Sequence, residues 1–328
     1  MKADLVACCV AMLATVNGVH AAQQAASASA ERNYPTKPIR LIVPQAPGGS
    51  NDIMARAVGQ YLGGRLGKQV VVDNRPGADA MIGTDMAARS APDGYTLLLA
   101  SAAYTMNPAV RKLPYDPLTA FDWVAMLGSG PTALTVGPLL PVNSVKELLA
   151  AAKARPGQIT MASAGGFQHF VHVLFSNLSG QDMTVVLYKG GAPAMIDVMG
   201  GQAHLTIGTI IQSLPHIRSG RLKALATGGA TRAAALPDLP TIAEAGVPGY
   251  SAVNWWTIAS PRGTPPAIIA RLSSDIAAFL RLPETRKRFA DEGAEVEIMT
   301  PDEVRKMIPV EIAKWTKVAR AAGMRVEQ

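Results

Sequence analysis

Ile39-Arg40-Leu41-Ile42-Val43-Pro44-Gln45-Ala46-Pro47-Gly48-Gly49-Ser50-Asn51-Asp52 carries a short apolar run through paired glycines into an apolar-periodic stretch that lasts to Leu66. The run reads as a buried strand and the periodic stretch as a helix. Consecutive glycines let the backbone approach a ligand, and the N–H groups of the first helical turn then face an anion. The same residues also read as an ordinary strand-to-helix turn with Ser50 or Asn51 as N-cap. No Lys-Ser or Lys-Thr pair follows the glycines, which excludes a nucleotide P-loop.

The alternation continues outward from this unit. Val70–Val72 precedes Ile82–Arg89, and Thr96–Ala100 follows the turn Pro92-Asp93-Gly94. After Pro141 the pattern restarts. Ser144-Val145-Lys146-Glu147 is a capping box that predicts a helix ending near Pro156-Gly157. Ile159–Ala162, a helix from about His169 to Gly180, Thr184–Leu187, a helix over Pro193–Met199 and Leu205–Ile207 follow. Short continuous apolar strands between helices predict largely parallel sheets covered on both faces. The last third is more helical: Thr264-Pro265-Pro266 opens a helix to Leu280, and Thr300-Pro301-Asp302-Glu303 is a second capping box. Two βα series separated near residue 130 predict two α/β lobes, with ligand bound at strand ends against helix N-termini.

Composition narrows the class. The 328 residues are 48% hydrophobic and 17% charged, and 31 basic against 24 acidic residues give a net charge of +7 without any Lys/Arg-rich run, so no nucleic-acid partner is expected. No apolar run reaches the ~18 residues of a bilayer-spanning helix. The two cysteines, Cys8 and Cys9, fall in the apolar run Leu5–Val16, behind Lys2 and ahead of Val19-His20-Ala21. This is a signal-peptide pattern (1–21) with cleavage after Ala21, followed by an Ala/Ser/Gln-rich flexible leader over 22–33. Leu5-Val6-Ala7-Cys8 has the residue types of a lipoprotein signal but sits too early, with almost no apolar segment ahead of it. The exported chain is then free of disulfide and thiolate chemistry.

Other motifs point to binding. Met161-Ala162-Ser163-Ala164-Gly165-Gly166 also runs from a strand into a helix, so two such loops, one per lobe, could grip a carboxylate from both sides. Tyr188-Lys189-Gly190-Gly191-Ala192-Pro193 is a third junction, where Lys189 either reaches a ligand or is a solvated lysine beside a turn. Arg75, in the turn Asp73-Asn74-Arg75-Pro76-Gly77, reads as structural. His169 and His172 could share a helix face, but no zinc signature accompanies them. Gly-x-Ser-x-Gly and Ser-x-x-Lys are absent. No metal, no cofactor and no catalytic residue is assigned.

In order along the chain, Pro44-x-Ala-Pro-Gly-Gly-x-x-Asp52, Asp73-Asn74-Arg75-Pro76-Gly77-Ala78, Ala91-Pro92-Asp93-Gly94-Tyr95-Thr96-Leu97-Leu98, Tyr188-Lys189-Gly190-Gly191, Leu236-Pro237-Asp238-Leu239-Pro240-Thr241-Ile242-Ala243-Glu244-Ala245-Gly246 and Glu311-x-x-Lys-Trp315 resemble the Bug-type (TctC-like) periplasmic solute-binding proteins of tripartite tricarboxylate transporters. The resemblance covers about Tyr34 to Gly323. It implies an α/β, two-lobed type II periplasmic-binding-protein fold, with a ligand cleft between lobes joined by crossover strands. It also implies a periplasmic, monomeric carrier of a small carboxylated solute, whose partners are the membrane subunits of a tripartite transporter. The alternatives are a ligand-presenting sensor subunit and a secreted enzyme on the same scaffold. The break at Gly128-Ser129-Gly130-Pro131 and the returning strand Trp255-Trp256-Thr257-Ile258 place lobe one at 34–131 plus 254–328 and lobe two at 132–253.

The resemblance puts the ligand carboxylate between the loop Pro44–Asp52 and the loop Ser163–His169. The candidate ligand-binding residues are Gln45, Ala46, Gly48, Gly49, Ser50 and Asp52; Ser163, Ala164, Gly165, Gly166, Phe167, Gln168 and His169; Lys189; and Ser101, Gly208 and Thr209 at strand ends. Three departures from the family pattern stand out. Gly77-Ala78-Asp79-Ala80-Met81-Ile82-Gly83 replaces Gly-Ala-Gly-Gly-Asn-Ile-Gly, bringing a side chain and a charge towards the cleft. The second loop is two residues shorter and lacks the family's Ser/Thr. Gly200-Gly201-Gln202-Ala203-His204 ends on His204 where the family has an acid. Phe167, in a tight Gly-Gly loop with little room to enter a core, is expected to face the pocket and favour a ligand with a ring or alkyl portion.

Overall fold

The computed structural model describes residues 33–321 and 323–324. The expected signal peptide, both cysteines and nearly all of the leader lie outside the described residues.

The strands are β1 (Ile39–Val43), β2 (Val70–Asn74), β3 (Thr96–Ser101), β4 (Phe121–Val136), β5 (Thr160–Ser163), β6 (Thr184–Leu187), β7 (Leu205–Thr209), β8 (Lys223–Thr227) and β9 (Val253–Pro261). The α-helices are α1 (Ser50–Leu66), α2 (Met81–Ala88), α3 (Ala103–Met106), α4 (Val145–Ala154), α5 (Phe167–Ser179), α6 (Gly191–Met199), α7 (Ile210–Arg218), α8 (Pro266–Arg281), α9 (Pro283–Glu292) and α10 (Pro301–Ala321). None is long and apolar enough to cross a membrane.

Hydrogen bonding runs in the order β2-β1-β3-β9-β4-β7-β5-β6, with β8 also on β4. The expectation of largely parallel sheets needs correction. β1, β2 and β3 pair in parallel, as do β5, β6 and β7, but every pairing of β4 and β9 is antiparallel. A strand buried on both faces is apolar throughout in either direction, so its residues do not record its polarity. β4 is the long connection. Its residues Phe121–Pro131 pair with β9, while Thr132–Val136 pair with β7 and β8. Two lobes therefore share this strand, and β9 returns along it.

Where β4 passes between the lobes, the segment after α9 crosses it. Ser129 and Glu295 exchange both backbone hydrogen bonds, at 2.9 and 2.7 Å. A Cβ on Gly128 would lie 2.2 Å from the Glu295 carbonyl oxygen, so only glycine allows this approach.

The helices show why these residues fold here. On α8, Ile268, Leu272, Ile276, Phe279 and Leu280 are buried at helical spacing against Met54, Leu62 and Trp256. Each such side chain contributes roughly 1.5–3 kcal/mol of gross burial energy. Pro265-Pro266 starts this helix, as its sequence predicts. In the capping box of α10, the Glu303 N–H donates to Thr300 Oγ1 (3.3 Å) and the Thr300 N–H to Glu303 Oε2 (2.7 Å). α10 spans the junction: Trp315 packs edge-to-face on Phe170 of α5, centroids 5.3 Å apart, within a core that includes residues of both lobes.

Candidate functional site

β1 ends at Val43 and β5 at Ser163, and the loops after them face each other. α1 begins at Ser50 behind an extended Gly49, and α5 at Phe167 behind Gly166, whose φ of 50° with ψ of −124° suits only a residue without a Cβ. Neither start has a side-chain cap, and residues of both first turns border the cleft. The first loop is held from below by Asp52, whose carboxylate accepts from the Gly48 N–H (3.0 Å), Arg56 Nε (2.8 Å) and Asn74 Nδ2 (3.1 Å). Burial pushes the Asp52 carboxyl upward, but these hydrogen bonds prevail and hold it below its ordinary value. Asp52 is thus a positioning residue for the loop.

Behind the loops lies an inner chamber bordered by Gln45, Ser50, Asn51, Ser101, Ala164, Phe167, Gln168, Gly191, Thr209, Gln212 and Asn254. Its free volume is about 10 Å³, room for roughly one water. Most polar groups here are used internally. Asn51 Oδ1 accepts from Trp256 Nε1 (3.0 Å) and Asn51 Nδ2 donates to Ser101 Oγ (3.3 Å). Asn254 Oδ1 accepts the Ala102 N–H (3.1 Å), and Gln168 Oε1 the Ala164 N–H (2.7 Å). Thr209 Oγ1 and Gln212 Nε2 are buried without a protein partner. A buried donor left unmatched costs about 1–3 kcal/mol, and an acceptor atom entering the chamber would satisfy both.

Gln45 and Ala164 also border an outer cavity of about 450 Å³, walled further by residues 77–81, Arg111, Gly165 and Leu187–Lys189. The lobes meet closely around both spaces. A Cβ on Gly190 would lie 2.6 Å from the Ala46 Cβ, and one on Gly48 would lie 3.2 Å from the Ala192 Cβ. The short loop Gly77–Met81 reaches across as well: the Gly166 N–H donates to Asp79 Oδ1 (3.0 Å) and Arg111 Nε to Asp79 Oδ2 (3.0 Å). Ala78, Asp79 and Ala80 all hold left-handed φ values of 46°, 53° and 75°. Such conformations cost non-glycine residues roughly 1–2 kcal/mol each.

Of the expected residues, Gln45, Ser50, Ser101, Ala164, Gly165, Phe167, Gln168, Lys189 and Thr209 border one of the two spaces. Ala46, Gly48, Gly49 and Gly166 lie in the loops without lining either space, Asp52 supports from below, and Gly208 backs Gln168. Ser163 is fully buried, with Oγ accepting the Gly165 N–H at 3.3 Å. Phe167 corrects the expectation that a tight loop keeps its ring out of the core: it is only 3% exposed and belongs to the main apolar cluster, touching the chamber from that side. A helix beginning at Phe167 itself, rather than near His169, turns the ring inward. His169 is half-buried; burial and, secondarily, the Arg111 charge depress its pKa, with Asp79 opposing. His172 faces away, accepting the Ile207 N–H at Nε2 (2.7 Å). His204 Nδ1 accepts the Thr160 N–H (3.0 Å), fastening β7 to β5 far from the cleft. No group of three His, Cys, Asp or Glu side chains that could hold a metal occurs among the described residues.

Asn51, Arg111, Gln212 and Asn254 were not anticipated as site residues. Asn51 adjoins a predicted contact and was legible as a first-turn residue. The others come from distant segments with no motif around them.

Comparison with known proteins agrees with this architecture. Residues 54–324 match the family described as tripartite tricarboxylate transporter family receptor. The protein BugT of Bordetella pertussis is 40% identical over 92% of this chain and 94% of its own. Among solved structures, R. palustris Rpa4515 with adipate superposes with a TM-score of 0.86 at 36% identity, covering 90% of this chain and all of that one. MatC of Rhodopseudomonas palustris with bound malate gives 0.82 at 29%, over 87% and 99%. The fold is the two-lobed fold of periplasmic binding proteins. The chain belongs to the tripartite tricarboxylate transporter family receptors, the Bug-type solute-binding proteins.

Proposed function

We propose that this protein captures a small organic carboxylate between its lobes in the periplasm and hands it, unchanged, to the membrane subunits of a tripartite transporter. The observation that carries the reading is the pair of buried donors without partners, Thr209 Oγ1 and Gln212 Nε2, in a chamber bordered by two uncapped helix starts. A carboxylate oxygen accepts from such groups and gains from both helix dipoles. Adipate and malate in two relatives are acids of this kind. The reading places lobe one at 34–131 with 254–328 and lobe two at 132–253, which the change of β4 partners between Pro131 and Thr132 supports. Export follows from the N-terminal signal pattern, and the reading takes the carrier to act as a monomer.

Mass spectrometry of the molecule released on denaturing freshly purified protein tests this, followed by calorimetric titration of that molecule. A carboxylic acid that binds one per chain, and more weakly to Thr209→Val, is expected. A neutral or cationic ligand overturns the reading.

A further inference from the structure

The Asp79 carboxylate stands where the lobes meet, and its partners Arg111 and the Gly166 N–H both belong to the cleft. Arg111 donates to Oδ2 through Nε (3.0 Å) and its terminal nitrogen (2.5 Å), while the Gly166 N–H donates to Oδ1 (3.0 Å). Asn107 Nδ2 holds the Asp79 carbonyl oxygen (2.8 Å), so lobe one fixes the loop while its side chain engages lobe two. The fit depends on glycine opposite: a Cβ on Gly165 would lie 2.3 Å from Asp79 Oδ1. The carboxylate and the guanidinium are 11% and 17% exposed, and both wall the outer cavity, where the far end of a solute whose carboxylate oxygen reaches into the inner chamber would lie. The other cation of that wall, Lys189, is exposed at the rim.

We propose that Asp79 is a specificity-determining residue, a tethered carboxylate that takes the guanidinium and the N–H which a solute's second carboxylate would otherwise use. The cleft then selects monocarboxylates with an uncharged far end over dicarboxylates. Two effects act together: Asp79 consumes the directional donors, and its charge repels a second anion in a partly desolvated space. An apolar or neutral far end rests instead on Met81 and Leu187, which wall the same cavity. The inference rests on the carboxylate reading above.

Hexanoate and adipate have the same six-carbon chain and differ by one carboxylate, which makes them the probes. Calorimetric titration should show wild type binding hexanoate at least tenfold more tightly than adipate. Asp79→Gly, which also suits the left-handed backbone at 79, should raise adipate affinity at least tenfold and change hexanoate less than threefold. Asp79→Asn, of the same size, should shift the ratio in the same direction. Adding Arg111→Met to Asp79→Gly should abolish the adipate gain, identifying the guanidinium as the counter-ion. An adipate-to-hexanoate ratio that is unchanged in Asp79→Gly, or a wild type that prefers adipate, overturns the proposal and leaves the carboxylate reading intact. Binding of neither acid to any of these folded proteins likewise overturns the proposal, while the carboxylate reading is decided by the molecule released on denaturation.

Discussion

Trp256 Nε1 donates to Asn51 Oδ1 across 3.0 Å in the closed interior, and Asn51 Nδ2 passes the chain on to Ser101 Oγ. One buried amide thus joins the first turn of α1, the end of β3 and the returning strand β9. Asn51→Leu strands the indole N–H of a fully buried tryptophan. It should cost about 1–3 kcal/mol in urea unfolding, whereas Ser101→Ala, which leaves the indole bond in place, should cost less. Equal losses for both would show that the indole bond contributes nothing specific.

Closure is open to a direct steric test. Gly190 and the Ala46 methyl face each other across the cleft, with 2.6 Å between Ala46 Cβ and a Cβ built on Gly190. Carbon atoms prefer about 3.5–4.0 Å, so Gly190→Ala props the lobes apart by roughly 1 Å at this point. The expected result is at least tenfold weaker solute binding with an unchanged unfolding midpoint in the absence of solute. Small-angle scattering should show a smaller contraction on saturation than in wild type. Wild-type affinity and contraction would mean that the approach is not part of the bound state.

Binding groups held in reserve carry a cost in stability. Gln212 Nε2 is buried without a protein partner, so Gln212→Leu removes an unsatisfied donor at similar volume. The solute-free variant should unfold about 1 kcal/mol later than wild type while binding its carboxylate at least tenfold more weakly. A variant that gains stability and keeps its affinity would remove Gln212 from the site.

Acid sensitivity should trace to His172. Burial pushes its imidazole down to about 3, with His169 adding to the effect, and Nε2 accepts the Ile207 N–H as a neutral ring must. In the unfolded chain a histidine titrates near pH 6.5. Between these values the unfolded state binds a proton that the native state refuses, so stability is full above pH 6.5 and declines as pH falls towards 3. At roughly 1.4 kcal/mol per pH unit, this one group accounts for about 2 kcal/mol between pH 6.5 and pH 5. His172→Gln should be less stable at neutral pH yet flatter over that range in urea midpoints; a parallel profile would locate the acid sensitivity elsewhere.

Local chemistry was legible in the sequence where its partners are near in the chain. The Thr300–Glu303 box forms reciprocally, and Ser144 Oγ accepts the Glu147 N–H at 3.2 Å as its spacing predicts. Paired glycines at 48–49 and 165–166 announced loops that open towards the cleft. What stayed hidden depends on sequence-distant approach. Arg111 meets Asp79 across 32 positions and Gln212 reaches the chamber from a helix without motif. The direction of β4 and β9 is likewise unreadable, and the ring of Phe167 is misplaced because a two-residue error in the start of α5, about half a turn, reverses the side on which it lies.

β9 lies between β3 and β4, pairing Leu98 with Ala259 and Gly130 with Asn254. The central strand of the sheet is therefore the last of these strands to leave the ribosome. Until then β3 and β4 have no common partner, and the first lobe cannot close on its own core. Contacts between residues so distant in sequence form slowly. The architecture that ties two lobes together through shared strands thus leaves the sheet of the first lobe without its middle until that strand has been made.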